Sequence, residues 1–317
     1  MKKIEKNFSN AIYQNFDEIQ QSLKESLNRV RIASQNGYRD LFNSNAWGRQ
    51  YHKLSIEELF FMNLNNDAIL AILNVSIYHA IVQNDYSHLL NGVFTYSRLR
   101  SLQRAYIPGT NDWTVVESLI SNDIVLRDIE YPKSLGFNTN VLYDTTLLLS
   151  GNLLRTILTN PDLKTLTLEQ YSKFIGEVSS KFDRALLQYL CGLTTEDDKL
   201  CKTNFAEMEQ LYNRCQWLSS GWYGDANLNK SVPIFLLGLY QLKNIVNINI
   251  EIELENEFLK NTDRFIVDNP NYIPQIFNYF DGELEFLNET LTNSFVPFYH
   301  TYKIKLDEIK TVTQAKR

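Results

Sequence analysis

The chain has 317 residues, 44% hydrophobic and 21% charged, a globular composition that excludes wholesale disorder and suffices for a full core without metal or disulfide. Its formal net charge of -6 argues against non-specific binding to nucleic acid, which needs Lys and Arg to neutralise phosphates, and favours a basic partner. Gly (12) and Pro (7) are scarce, so few breakers interrupt the chain and long helices with short connections are expected.

The first helix is read from Ile4, Phe8, Ile12, Phe16, Ile19, Leu23, Leu27 and Val30, which step by three or four and leave one narrow apolar stripe; Gly37 ends it. Ser55, with Glu58 three residues on, has the composition of a capping box and starts the next helix. Helical spacing then continues through Leu59, Phe60, Leu64, Leu70, Leu73, Ile77 and Ile81. Asp85 can cap a helix carrying Leu89, Val93, Tyr96, Leu99 and Leu102, which Pro108-Gly109 stops. Trp113 opens a short helix to Ile120, and a second runs from Asn122-Asp123 to Tyr131-Pro132. A helix over 139–158 follows, and then Leu168, Tyr171, Ile175, Val178, Phe182, Ala185, Tyr189 and Leu193 trace one long helix, paired with another carrying Phe205, Met208, Tyr212, Cys215 and Leu218. Pro233 falls in the first turn of a helix that is apolar on nearly every side, Ile234 to Leu242, and central. Ile248, Ile250, Ile252 and Leu254 alternate with polar residues as in a strand, but a lone strand has no partner among helices, and a helix through Leu254, Phe258, Phe265 and Ile266 is preferred.

Four helical runs break at an acidic turn and restart at once: Asn65-Asn66-Asp67, Asn84-Asp85, Asn122-Asp123 and Glu196-Asp197-Asp198. The pattern reads as stacked antiparallel helical hairpins, an all-α fold forming one irregular bundle or a short solenoid. No fixed-length repeat aligns. The expected organisation is a single helical domain over 1–317, with a subregion 1–108 and a hairpin stack 109–317 meeting at Pro108-Gly109. The N-terminus lacks the apolar core of a signal peptide, and the most lipid-like stretch, 141–158, contains Asp144 and Arg155. A cytoplasmic location away from the membrane is expected.

Residues that carry chemistry are sparse. Cys191, Cys201 and Cys215 form no C-x-x-C pair, and His52, His79, His88 and His300 are scattered, His79 and His88 being nine apart, so no i,i+4 metal pair exists and neither metal nor cofactor is expected. The clustered Arg98, Arg100 and Arg104 are expected on a solvated helix face, not on a phosphate track. The stretch from Asn122 to Glu130 resembles the second metal motif of class I terpene synthases, and Asp197-Asp198 the aspartate-rich first. Leu126 replaces the hydroxyl ligand, Asp197-Asp198 lacks its downstream acid, and the order is reversed. Capping and turn acids explain both fragments. A helical metal-dependent enzyme of terpene-synthase type is the alternative reading, with a general helical-repeat scaffold as another.

Two features suit recognition. The glycine-bearing segment from Ser219 to Asp225 places Trp222, Tyr223 and Asp225 near Trp217, either as a recognition patch or as a plug for the end of the bundle. Acids are dense at Glu196, Asp197 and Asp198 and again at Glu251, Glu253, Glu255 and Glu257, which suits encounter with a basic protein.

From Trp113 onward the order of elements resembles the helical bacterial family called immunity protein forty-nine. Trp113 opens an apolar helix ending at Leu119-Ile120, Asn122-Asp123 turns it, Leu126 continues, Pro132 closes, and a long Tyr-bearing helix pair follows. The resemblance covers about a third of the chain. It implies a cytoplasmic, non-enzymatic helical body that binds and neutralises a cognate toxin; it transfers no contact residue and no oligomeric state.

Overall fold

The computed structural model describes residues 16–35, 53–64, 66–106, 118–132, 134, 136–139, 144–215, 232–276, 280 and 282–314. In chain order the helices are α1 (Phe16–Gln35), α2 (Ile56–Met62), α3 (Asn66–Gln83), α4 (Tyr86–Tyr106), α5 (Ile124–Glu130), α6 (Thr145–Leu158) and α7 (Lys164–Phe174). They continue as α8 (Lys181–Thr195), α9 (Asp198–Leu211), α10 (Ile234–Ile245), α11 (Glu257–Asp268), α12 (Glu285–Leu291) and α13 (Phe295–Gln314). No strand occurs among the described residues, so the fold is all-α, and no helix among them is long and apolar enough to cross a membrane. The chain divides into two compact units. Unit I comprises Phe8–Gly109 and Pro274–Arg317; unit II comprises Met1–Asn7 and Thr110–Ile273. Unit I thus breaks off after Gly109 and resumes at Pro274.

In unit I, α4 is the buried helix, with every described side chain from His88 to Ala105 buried or half-buried, and α3 runs back along it as a hairpin partner. The described part of the α1 stripe is buried, Ile19, Leu23, Leu27 and Val30 being at most 2% exposed, whereas Ile4, Phe8 and Ile12 lie outside the described residues. Ser55 and Glu58 form the complete reciprocal box at the start of α2, Ser55 Oγ accepting from Glu58 N at 3.2 Å and the Glu58 carboxylate accepting from Ser55 N at 2.7 Å. Phe60 and Phe61 meet Phe286 edge to face, and Phe61 meets Phe298 the same way, so the aromatic C-terminal region packs on α2.

In unit II, α8 and α9 form the tightest hairpin, α6 packs on α8, and α7 packs on α6. Gly192 lets α9 approach α8 closely: a Cβ there would lie 2.8 Å from Cys201 Sγ and 3.1 Å from Cys201 N. The residues from Ile234 to Lys243 are all buried, so α10 is central as its composition required, although Pro233 stands at the N-cap, before the first turn. Tyr189, fully buried on α8, donates its hydroxyl to the Leu239 carbonyl at 2.8 Å and ties α8 to α10. Asn152, 0% exposed, accepts from Asn138 N and donates to Asn138 O and Gln170 Oε1, holding the segment before α6 against α6 and α7.

Two expectations are corrected. The long helix from Leu168 to Leu193 is two helices: a 3-10 turn at Ile175–Glu177 and an extended Val178 separate α7 from α8, and the Ser180 hydroxyl starts α8 by accepting from Asp183 N at 3.3 Å. The stretch 249–256 is not the beginning of a helix. It runs without helix, Ile250 N donating back to Ile248 O at 2.9 Å and the Glu209 carboxylate holding Glu255 N and Asn256 N, and α11 starts only at Glu257, where Asn256 caps Phe258 N and Leu259 N.

The acidic breaks share one mechanism. Asn122 and Glu196 adopt left-handed backbone (φ 51 and φ 60), and the Asp after each donates its N–H five residues back, Asp123 to Ser118 and Asp197 to Gly192, each at 2.9 Å. The same two aspartates then accept from the N–H three residues on, Leu126 at 3.1 Å and Leu200 at 2.9 Å. One residue closes a helix with its backbone and opens the next with its side chain. Asn84 (φ 56) and Asp85 do the same with a closure one residue wider, Asp85 N donating to His79 O at 3.0 Å. Asn247 (φ 55) closes α10 identically, with Ile248 N donating to Lys243 O at 3.0 Å, but Ile248 has no oxygen to cap a following helix. That is why the chain runs extended there. Asn65 lies outside the described residues.

Candidate functional site

Glu196, Asp197 and Asp198 are exposed at the tip of the α8–α9 hairpin, and all three are structurally engaged. Glu196 forms the left-handed corner, Asp197 caps α9, and Asp198 makes an i,i+4 ion pair with Lys202 at 2.8 Å. Trp217, Trp222, Tyr223 and Asp225 lie outside the described residues, as does Trp113. In the stretch resembling a metal motif, Asp123 is buried and caps α5, Leu126 is 0% exposed, and Asp128 is exposed, 3.9 Å from Arg127. Asp123 and Asp197 both serve as helix caps. The arginine cluster is not a solvated face. Arg98 is 5% exposed, lies 4.2 Å from the Phe94 ring centre and 4.5 Å from that of Phe295, and donates to the Leu291 carbonyl at 2.6 Å, closing the end of α12.

The cysteine thiols are free and buried. Burial first, then the carboxylates of Asp197 and Asp198, pushes the Cys201 thiol up to about 12. A thiol so held is not a nucleophile.

The extended stretch after α10 presents a second kind of site. Ile250, Ile252 and Leu254 point inward and are buried, while Glu251, Glu253 and Glu255 are exposed, the period-two pattern of a strand edge. Glu209 of α9 fixes its end, the carboxylate accepting from Glu255 N at 3.2 Å and from Asn256 N at 3.0 Å. Burial raises the Glu209 carboxyl above its ordinary range despite those two backbone donors. Among the described residues, the backbone groups of Glu251 through Leu254 pair with no other backbone group. The segment from Thr110 to Ile273 also holds the chain's negative charge, with 14 Lys and Arg against 22 Asp and Glu, whereas the remaining residues have 17 against 15.

The reversal between α3 and α4 gathers three titratable side chains that sequence spacing did not connect. His79 sits just before the last turn of α3, Asp85 caps α4 and His88 stands in its first turn; one ligand atom of each lies within 4.8 Å of the others. The imidazoles stack with centres 3.9 Å apart and planes 14° apart, and Tyr78 meets His79 edge-on. Asp85 Oδ1 accepts from Ser87 Oγ at 2.6 Å and from His88 N at 3.0 Å. Burial would raise the Asp85 carboxyl, but those two donors and the neighbouring imidazoles together hold it below its ordinary value. For His88, burial and then the nearby His79 push the imidazole down to about 4, against the pull of Asp85. His88 is therefore neutral at neutral pH. The signal that could have found this cluster was Asn84-Asp85 itself: folding α3 back on α4 at that corner brings positions 79 and 88 to the same end of the hairpin.

Comparison with protein-family models, with curated proteins and with solved structures found no match to this chain.

Proposed function

We propose that this chain is a non-enzymatic, cytoplasmic protein-binding module whose partner is basic, and that the stretch from Asn249 to Asn256 receives an extended segment of that partner. The observation that carries this reading is the extended backbone from Glu251 to Leu254, which pairs with no other backbone group among the described residues, anchored inward by Ile250, Ile252 and Leu254 and fringed outward by Glu251, Glu253 and Glu255. An exposed extended backbone offers hydrogen bonds to an incoming strand, and alternate side chains supply the selectivity. Glutamates every second residue favour a strand with Lys or Arg at the facing positions, and the surplus of acids between Thr110 and Ile273 speeds encounter with such a partner. The resemblance to immunity proteins makes a bacterial toxin domain the first partner to test.

The test is co-purification of the full chain with the product of the gene beside its own, together with growth of cells producing both. A stable complex and rescued growth are expected. Charge reversal in the double variant Glu251→Lys/Glu253→Lys, at two exposed positions, should abolish both without changing the circular dichroism spectrum. A toxin that forms no complex would defeat the immunity reading. A complex indifferent to that variant and to salt would defeat the assigned surface.

A further inference from the structure

We infer that His79, Asp85 and His88 form a binding site for a divalent transition-metal ion of the zinc class at the corner between α3 and α4. Two imidazoles and a carboxylate, with ligand atoms within 4.8 Å of one another, are a donor set that Zn²⁺ and its first-row neighbours take, leaving one position of a tetrahedral ion to water. The three groups come from a helix end, a cap and a first turn, so the backbone of the hairpin fixes their spacing before any ion arrives.

The surroundings prepare His79 and Asp85. His79 Nδ1 lies 2.5 Å from Gln83 Oε1, an arrangement in which Nδ1 carries the proton and Nε2 keeps its lone pair, the orienting contact that ligating histidines use. Ser87 and the His88 N–H occupy Asp85 Oδ1, which orients the carboxylate and leaves Oδ2 to an ion. The stacked rings lie nearly parallel, so joint ligation needs one of them to turn; His79, half-buried at the end of α3, is the one that moves, and His88, 6% exposed, stays. The inference rests on unit I alone and is independent of the protein-binding reading.

The experiment is titration of the chelator-treated full chain with Zn²⁺ by calorimetry, with Co²⁺ absorption as a report on the ligand field. One equivalent of Zn²⁺ is expected, with a rise in melting temperature that grows with free Zn²⁺, because only the folded hairpin assembles the site. Asp85→Asn keeps a capping side chain and should fold, and His79→Ala removes a half-buried ring; each is expected to weaken Zn²⁺ binding by at least about tenfold. His300→Ala, exposed on α13, should leave binding unchanged. Failure of the intact chain to take up Zn²⁺, or uptake that survives both His79→Ala and Asp85→Asn, would overturn the assignment.

Discussion

Glu58 of α2 and Lys305 of α13, 247 residues apart in sequence, form an ion pair in which the ammonium reaches both carboxylate oxygens at 2.7 and 2.9 Å. The same carboxylate accepts the Ser55 N–H at 2.7 Å, so one nearly buried side chain closes the start of α2 and ties it to the last helix. Removing it strands both a backbone donor and a partly covered cation. Glu58→Ala should therefore cost about 2–3 kcal/mol in denaturant unfolding, more than an ordinary surface pair. Lys305→Met should cost less, because Lys305 is one-third exposed and Glu58 keeps its backbone donor. Equal midpoints for wild type and Glu58→Ala would show that the pair adds nothing.

The shared corners predict a graded series. Asp123→Ala and Asp197→Ala each lose a cap worth about 0.5–2 kcal/mol, with Asp123 toward the upper end because it is buried and Asp197 toward the lower because it is exposed. Glu196 holds a left-handed conformation with a side chain that gains nothing from it. Glu196→Gly should relieve about 1–2 kcal/mol of backbone strain against about 0.5–1 of added chain entropy, a net gain of about 0.5–1. Asn122→Gly should gain less, since Asn tolerates this conformation better than Glu. Thermal midpoints of the four variants test the ranking, and loss of stability in Glu196→Gly would refute the strain argument.

These corners also explain what the sequence disclosed. An Asn-Asp or Glu-Asp pair after an apolar helical run states both where one helix ends and where the next begins, so the α3–α4, α5 and α8–α9 boundaries were readable from composition. Between Leu168 and Leu193 the apolar spacing kept helical phase across Ile175–Val178 by coincidence; the cap at Ser180, followed by Asp183, was the local signal that phase obscured. At Asn247 the left-handed residue was present but the capping oxygen was not, and the period-two run that followed was an extended chain without a sheet. Isolated spacing rules also missed the cluster of His79 and His88, because its geometry comes from the reversal and not from a single helix. Arg98 was misplaced for a related reason: charge suggested solvent, whereas Phe94, Phe295 and the Leu291 carbonyl supply the partners that permit burial.

Gly192 measures how tightly α8 and α9 approach. In an open helix Gly→Ala gains about 0.5–1 kcal/mol, but here the new methyl meets Cys201 Sγ at 2.8 Å and Cys201 N at 3.1 Å, and overpacking costs about 1–3. Backbone cannot rotate aside, so Gly192→Ala should destabilise by about 1–2 kcal/mol in equilibrium unfolding. Adding Cys201→Ala should relieve only the sulfur contact, leaving the double variant above the single but below Cys201→Ala alone. A stabilised Gly192→Ala would mean that the two helices separate more easily than this packing implies.

Cys201 offers a readout of opening at the same contact. It is 0% exposed, its Sγ lies 3.8 Å from the Tyr189 carbonyl oxygen, and its thiol is pushed up to about 12, so the folded chain holds almost no thiolate at this position near neutral pH. Burial also raises the Cys191 thiol, though it lies 8% exposed. Site-resolved labelling of the native chain with a thiol reagent should therefore find Cys201 the slower of the two, with both reacting at the rate of free cysteine once guanidinium unfolds the chain. Because alkylation then proceeds only through opening of the α8–α9 hairpin, Gly192→Ala should accelerate labelling of Cys201 by the factor by which it raises the opening equilibrium. Rapid modification of Cys201 in the native wild type would contradict both the burial and the thiol's state.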